Sequence, residues 1–221
     1  VAPGTNSKSN PNAMASVARD TIFTNVAMTA DGDVWWEGMD GEVPEELTDW
    51  QGRPYDKANG PAAHPNSRFT VSAKQNPAYN HLMEHPEGVP ISAILFGGRR
   101  REVAPLVYEA RDWKHGVMVG AGMASETTAA AVGQVGVVRR DSMAMKPFCG
   151  YNFADYWAHW LSFEGKVKQL PKVYHVNWFR QDKDGKFLWP GFGDNLRVLS
   201  WMLERCAGRA EAQDTAIGYL P

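Results

Sequence analysis

Residues Asn177–Asn195 read NWFRQDKDGKFLWPGFGDN. Five aromatic side chains, Trp178, Phe179, Phe187, Trp189 and Phe192, surround a polar Asp182-Lys183-Asp184-Gly185 turn. That is far more aromatic surface than a reversal needs. An Asp-Gly pair between aromatic runs signals a hairpin, because glycine accepts the positive φ of a tight turn, so two strands are expected to meet at Asp184-Gly185. Pro190-Gly191 then breaks the chain, and Asp194 is placed to cap a helix whose Leu196, Leu199, Met202 and Leu203 share one face. A planar ring slotted between Phe179, Phe187 and Phe192, with its polar edge turned to Asn195, suits this stretch. An aromatic core beneath a hairpin is the plainer alternative.

Outward from this stretch, Lys172–Phe179 reads as a strand feeding the hairpin. Val89–Phe96 is an apolar strand ending in Gly97-Gly98-Arg99-Arg100-Arg101. Glycines permit close approach and guanidinium groups bind phosphoryl oxygens bidentately, although three successive arginines also suit a solvated turn. Asp112–Met123 is predicted helical. Residues 124–136 are almost wholly Ala, Ser, Thr, Val and Gly; such side chains bury little, which predicts either a mobile loop that closes over a ligand or an alanine helix over Thr128–Val132. Tyr151–Phe163 has the spacing of a core helix, and His159 and His175 read as packed histidines.

Towards the N-terminus, Asn10-Pro11-Asn12 starts a short helix through Arg19. Thr21–Ala27 reads as a strand, turned back by Asp31-Gly32 into Val34–Glu37. Asp31 and Asp33 lack the further spacing of a calcium loop. In Ala63–Phe69, Asn66 and Arg68 lie two apart in an extended segment, project to the same side, and can grip one carboxylate or phosphate; a surface ion pair is the alternative. His81-Leu82-Met83-Glu84-His85 matches H-x-x-E-H. Pro77 and Pro86 leave that segment barely two turns and no third ligand is signalled, so a zinc site is rejected.

A chain of 221 residues with 23 Lys+Arg against 25 Asp+Glu has room for one large lobe and no global field to recruit nucleic acid or an anionic membrane. Its 21 glycines and 14 prolines exceed the usual combined share of about 12% and predict long ordered loops. Cys149 and Cys206 are too few for a disulfide scaffold and sit among apolar residues, as buried thiols do. With no apolar run long enough to span a bilayer and no leader pattern, the expectation is a soluble, cytoplasmic protein. Because it starts at Val1 rather than Met, the chain is expected to be processed or a fragment.

Most of the chain resembles GTP-dependent phosphoenolpyruvate carboxykinase. The resemblance rests on VAPGTNSKSNPNA, TIFTNVA, AHPNSRF, ILFGGRR, PFCGYNFADYWAHWL, HVNWFR, FLWPGFGDN and IGYLP, in this order. It implies an α/β fold with a mixed sheet flanked by helices, residues 1–221 forming one C-terminal nucleotide-binding lobe truncated at both ends, with a lid near 124–137. It implies conversion of oxaloacetate and GTP to phosphoenolpyruvate, GDP and carbon dioxide, by a monomer. By the same resemblance Asn66, Ser67 and Arg68 bind substrate, and Arg68 and Arg99 are catalytic and touch the nucleotide phosphates. Phe179, Phe187 and Phe192 sandwich guanine, whose edge meets Gly193, Asp194 and Asn195. The family motif has two arginines after the glycines, so Arg101 is extra, and Ala124 stands where an arginine is common. No G-x-x-x-x-G-K-[ST] loop occurs in the chain. The resemblance puts the phosphate loop and the ligands of the Mn²⁺ or Mg²⁺ cofactor in a missing N-terminal part, which makes this chain alone inactive. A guanine-nucleotide binding module without catalysis is the alternative reading.

Overall fold

The fold is that of a computed structural model, which describes residues 4–17, 19–76, 79–128 and 134–221 and leaves the side chains of Asn12 and Phe192 undescribed. The middle of the expected lid and most of the alternative alanine helix over Thr128–Val132 lie outside the described residues. The chain divides into two compact units, one ending at Gly88 and one beginning at Val89.

In the first unit, α1 (Pro11–Ser16) begins with proline at a first-turn position, where no amide donor is required, and stops short of Arg19. It is followed by β1 (Ile22–Thr24), β2 (Ala27–Thr29), β3 (Val34–Trp35), β4 (Leu47–Thr48) and β5 (Arg68–Thr70). The single strand expected over Thr21–Ala27 is broken because Asn25 takes a φ of 58°, which no strand accommodates. As a result β1 pairs antiparallel with β5, whereas β2 lies between β3 and β4 in a separate sheet. Trp36 is buried and its indole N–H donates to the Thr5 carbonyl at 2.8 Å. His81–Glu84 forms a 3₁₀ turn, with Glu84 paired to Lys74 at 3.2 Å.

The second unit contains, in chain order, β6 (Ala93–Gly97), β7 (Val107–Glu109), α2 (Trp113–Ala121), β8 (Ala124–Glu126), β9 (Val138–Arg140), α3 (Phe153–Leu161), β10 (Lys172–Val176), α4 (Asn195–Cys206), β11 (Gln213–Thr215) and β12 (Gly218–Leu220). Its main sheet has the order β11-β12-β7-β10-β6, with β10 parallel to β6 and the other neighbours antiparallel, while β8 and β9 form a separate hairpin. Alternation along β10 sends Val173 into a cluster with Phe96, Trp113, Val117 and Met143, and sends Tyr174 and Val176 into one with Val107, Val198 and Met202. The sheet is therefore covered by α2 and α3 on one face and by α4 on the other, the mixed α/β arrangement expected. Helix α2 lies unusually close to the sheet: a Cβ at Gly116 would fall 2.6 Å from Val173, and one at Gly120 2.5 Å from Phe96. Among the described residues no helix is long and apolar enough to cross a membrane.

Several local expectations are corrected. β10 ends at Val176, and the expected reversal at Asp184-Gly185 is present but short: Asp182 N donates to the Lys186 carbonyl and Leu188 N to the Arg180 carbonyl, each at 2.9 Å, around a single Gln181–Phe187 antiparallel bridge. Side chains take other backbone donors of the stretch: Asn177 Oδ1 accepts from Phe179 N at 3.2 Å, and Asp182 Oδ1 accepts from the amides of Asp184 and Lys186, each at 2.9 Å. Asp194 occupies the cap position of α4 in helical conformation, and its carboxylate faces Arg197 at 3.5 Å instead of capping. The buried face of α4 is Val198 and Met202, while Leu196 and Leu203 are 67% and 64% exposed. Both cysteines are half-buried rather than buried, and His159 is exposed with its ring edge-on to Phe163.

His175 is the packed histidine that was expected, 6% exposed and stacked on Tyr108 at 5.2 Å. Burial first, and then the neighbouring Arg100 charge, pushes its pKa down to about 4. The unfolded chain takes up this proton near pH 6.5, so His175 lends full stability above that pH. This stability is lost as pH falls through 6.5 towards 4, by about 3 kcal/mol in all. Urea unfolding at stepped pH should show this loss in the native chain and a much shallower one in His175→Gln; equal slopes would contradict the assignment.

Candidate nucleotide and phosphate site

After Gly97 the chain leaves β6 and turns through Gly98–Arg101. The turn is held by Asn177, the first residue beyond β10, which is 1% exposed. Asn177 Oδ1 accepts from the amides of Arg100 and Phe179, both at 3.2 Å, and Nδ2 donates to the carbonyls of Arg100 at 2.9 Å and Ala104 at 3.0 Å. Two acceptor and two donor positions of one buried amide are thus filled, which ties the arginine turn to the start of the aromatic stretch.

The other side of the turn is fastened to the β8–β9 hairpin. Arg99 N donates to Ser125 Oγ at 3.0 Å and the Arg99 carbonyl accepts from Glu126 N at 2.8 Å. Arg101 donates to the almost fully buried Glu126 carboxylate from its backbone N at 2.8 Å and its Nε at 2.9 Å, and its carbonyl accepts from Gln181 N at 2.9 Å. The extra arginine is therefore structural: its charge is matched by a carboxylate. Arg99 is used differently, with its guanidinium 3.7 Å from the centre of the Phe179 ring, a cation–π contact. Among the described residues no carboxylate pairs with Arg99 or Arg100.

Phe179 and Phe187 meet edge to face, with centroids 6.1 Å apart and planes at 73°, and Phe187 is 55% exposed. The structure thus brings Arg99, Phe179 and Phe187 together around an accessible aromatic surface. Phe192, Gly193 and Asp194 form a 3₁₀ turn leading into α4; the Phe192 side chain is among those not described. Asn195 opens α4 half-buried, and its Oδ1 accepts from Trp189 Nε1 at 2.8 Å.

Asn66, Ser67 and Arg68 belong to the first unit. Asn66 sits in a turn and the extended segment begins only at Arg68, so the same-side projection expected of a strand does not apply to this pair. The Ser67 side chain is wholly buried, whereas Arg68 is exposed and donates to the Ser67 carbonyl at 2.9 Å. Among the described residues no group of three or more His, Cys, Asp or Glu is arranged to hold a metal ion.

Sequence reasoning missed Asn177 as the organiser of the site. The available signal was an amide between Val176 and Trp178, where an apolar residue would otherwise continue the run. Asn177→Asp would set a carboxylate oxygen against the Arg100 and Ala104 carbonyls, an unpaired buried charge costing about 3 kcal/mol. The expected drop in thermal midpoint is roughly 6–12 °C, and a midpoint unchanged from the native chain would show that the amide does not hold the turn.

A family model described as "Phosphoenolpyruvate carboxykinase C-terminal P-loop domain" matches residues 1–221. The chain is 64% identical over 222 residues to a protein of Anaeromyxobacter sp. (strain K) named phosphoenolpyruvate carboxykinase (GTP), covering 100% of this chain and 37% of that relative. It is 58% identical over 223 residues to a protein of the same name from Chlamydia pneumoniae, again covering 100% of this chain and 37% of the relative. The chain spans little more than a third of the length of these relatives. It belongs to the phosphoenolpyruvate carboxykinase family, matching the model of that family's C-terminal domain.

Proposed function

We propose that this chain supplies the guanine pocket and phosphate-contacting arginines of a GTP-dependent phosphoenolpyruvate carboxykinase, the name its close relatives carry. The observation that carries the reading is that Arg99, which has no carboxylate partner among the described residues, lies over Phe179 beside Phe187, on a turn fixed by Asn177. The reaction breaks the bond between oxaloacetate and its β-carboxylate, releases carbon dioxide and leaves an enolate. The enolate oxygen then takes the γ-phosphoryl group of GTP as the bond to the β-phosphate oxygen breaks, giving phosphoenolpyruvate and GDP. Arg99 neutralises charge on the transferring phosphoryl group, and Arg68 and Asn66 hold the substrate carboxylate. Phe179, Phe187 and Phe192 stack the guanine, and Gly193, Asp194 and Asn195 meet its edge.

The family's metal finds no fitting set of ligands among the described residues, and no step is assigned to it in this chain. This observation, with the lack of a G-x-x-x-x-G-K-[ST] loop in the sequence, favours a second reading for the chain taken alone, as a guanine-nucleotide binding module without turnover. A coupled assay with the purified 221-residue chain, GTP, oxaloacetate and manganese separates the two, since turnover by the chain alone would overturn the second reading.

Two substitutions in the full-length polypeptide that carries this chain test the first. Phe187→Ala should weaken GTP about tenfold, the loss of one stacking contact. Arg99→Lys keeps the charge but loses the planar fork, and should lower kcat by about tenfold or more with a smaller change in KM for GTP. Native kinetics in both variants would remove the pocket from these residues.

A further inference from the structure

Trp189 stands just before the Pro190-Gly191 reversal, where Gly191 adopts a φ of 78°, and this reversal brings the indole onto the first residue of α4. Its Nε1 donates to Asn195 Oδ1 at 2.8 Å. An indole nitrogen carries a hydrogen and has no lone pair to offer, so it can only donate. The atom of the Asn195 amide that faces it must therefore be the oxygen, and chemistry alone settles the orientation of the amide. The amide nitrogen is turned the other way, and among the described residues nothing accepts from its two hydrogens.

The lock is itself held in place. The Trp189 ring packs against the cluster of Val107, Tyr174, Val176, Val198 and Met202. On the helix side the Arg197 guanidinium lies 5.5 Å from the ring centre, and Arg197 also reaches Asp194. Rotating the indole away would sacrifice apolar burial as well as the hydrogen bond, so the amide cannot flip at little cost.

We propose that Trp189 is a positioning residue for base specificity: by fixing the Asn195 amide it makes residue 195 present hydrogen-bond donors, which select purines with an oxygen at C6 over those with an amino group there. This rests on the guanine-pocket reading given above. A 6-oxo group accepts from the outward N–H, whereas a 6-amino group would set donor against donor, and leaving such groups unpaired is what discriminates.

The test measures kcat/KM for GTP, ITP and ATP in the full-length polypeptide. Trp189→Phe keeps an aromatic ring on the cluster, removes the donor and frees the amide to present either atom. The expected result is a fall of about tenfold in the GTP:ATP ratio, with ITP following GTP because both carry the 6-oxygen. Asn195→Asp leaves an oxygen for Trp189 but turns an acceptor outward, and should lower the same ratio further. A GTP:ATP ratio unchanged in Trp189→Phe overturns the proposal, whatever Asn195→Asp does, as does a ratio that falls for GTP but not for ITP. Phe187→Ala is measured alongside. If it weakens GTP while Trp189→Phe leaves the ratio alone, only the lock is wrong; if Phe187→Ala has no effect, the pocket reading fails as well. Should Trp189→Phe fail to fold, the same ratio in Trp189→Met, which keeps apolar bulk on the cluster and likewise lacks a donor, decides.

Discussion

One buried amide sets the geometry on which the site depends. The four hydrogen bonds of Asn177 join the end of β10, the arginine turn and the Phe179 backbone. A buried amide is costly unless every donor and acceptor is matched, and when all are matched it tolerates few rearrangements. That makes the turn and the aromatic stretch a single rigid piece. Glu109 gives the opposite end of the sheet a similar anchor. Burial alone would raise its carboxyl, but hydrogen bonds from Arg205 and Lys172 outweigh this and hold it below the ordinary carboxylate range.

Each arginine of the turn has its own electrostatic surroundings. Arg101 is committed to a buried carboxylate and cannot serve a ligand without leaving Glu126 uncompensated. Among the described residues the Arg99 guanidinium has only the Phe179 ring beneath it, a contact worth about 1 kcal/mol at an accessible site, far less than a phosphate would offer in a bidentate pair. A ligand bearing both a flat ring and a phosphate therefore has something to gain at each end of this surface. In the proposed pocket Asn195, whose Oδ1 accepts from Trp189, would add the directional contact that stacking lacks.

What could be read in the sequence was whatever depends on period and local punctuation. The apolar run before Gly97-Gly98 became a sheet strand, Asp112 capped α2 through a 2.8 Å bond to the His115 amide, and Asp31-Gly32 turned β2 into β3. The motif strings led to the family because long ordered identity survives where propensity is ambiguous. The failures have a common cause, which is long-range competition for backbone groups. The reversal at Asp184-Gly185 formed, but its arms stayed short because the Phe179 amide went to Asn177 and the Gln181 amide to the Arg101 carbonyl. The strand over Thr21–Ala27 was broken by one residue, Asn25, in a left-handed conformation. The burial of Ser67 and the pairing of Arg101 with Glu126 depend on neighbours distant in sequence, and no local pattern reports them.

The central claim is that Asn177 welds the arginine turn to a guanine-stacking surface whose polar edge is an oriented Asn195. A crystal structure of the full-length polypeptide with GDP tests it most directly. The account predicts the base against Phe187, its 6-oxygen within hydrogen-bond distance of Asn195 Nδ2, and Asn177 keeping its bonds to Arg100 and Phe179. A base bound elsewhere, or one whose edge meets the amide oxygen of Asn195, would contradict it.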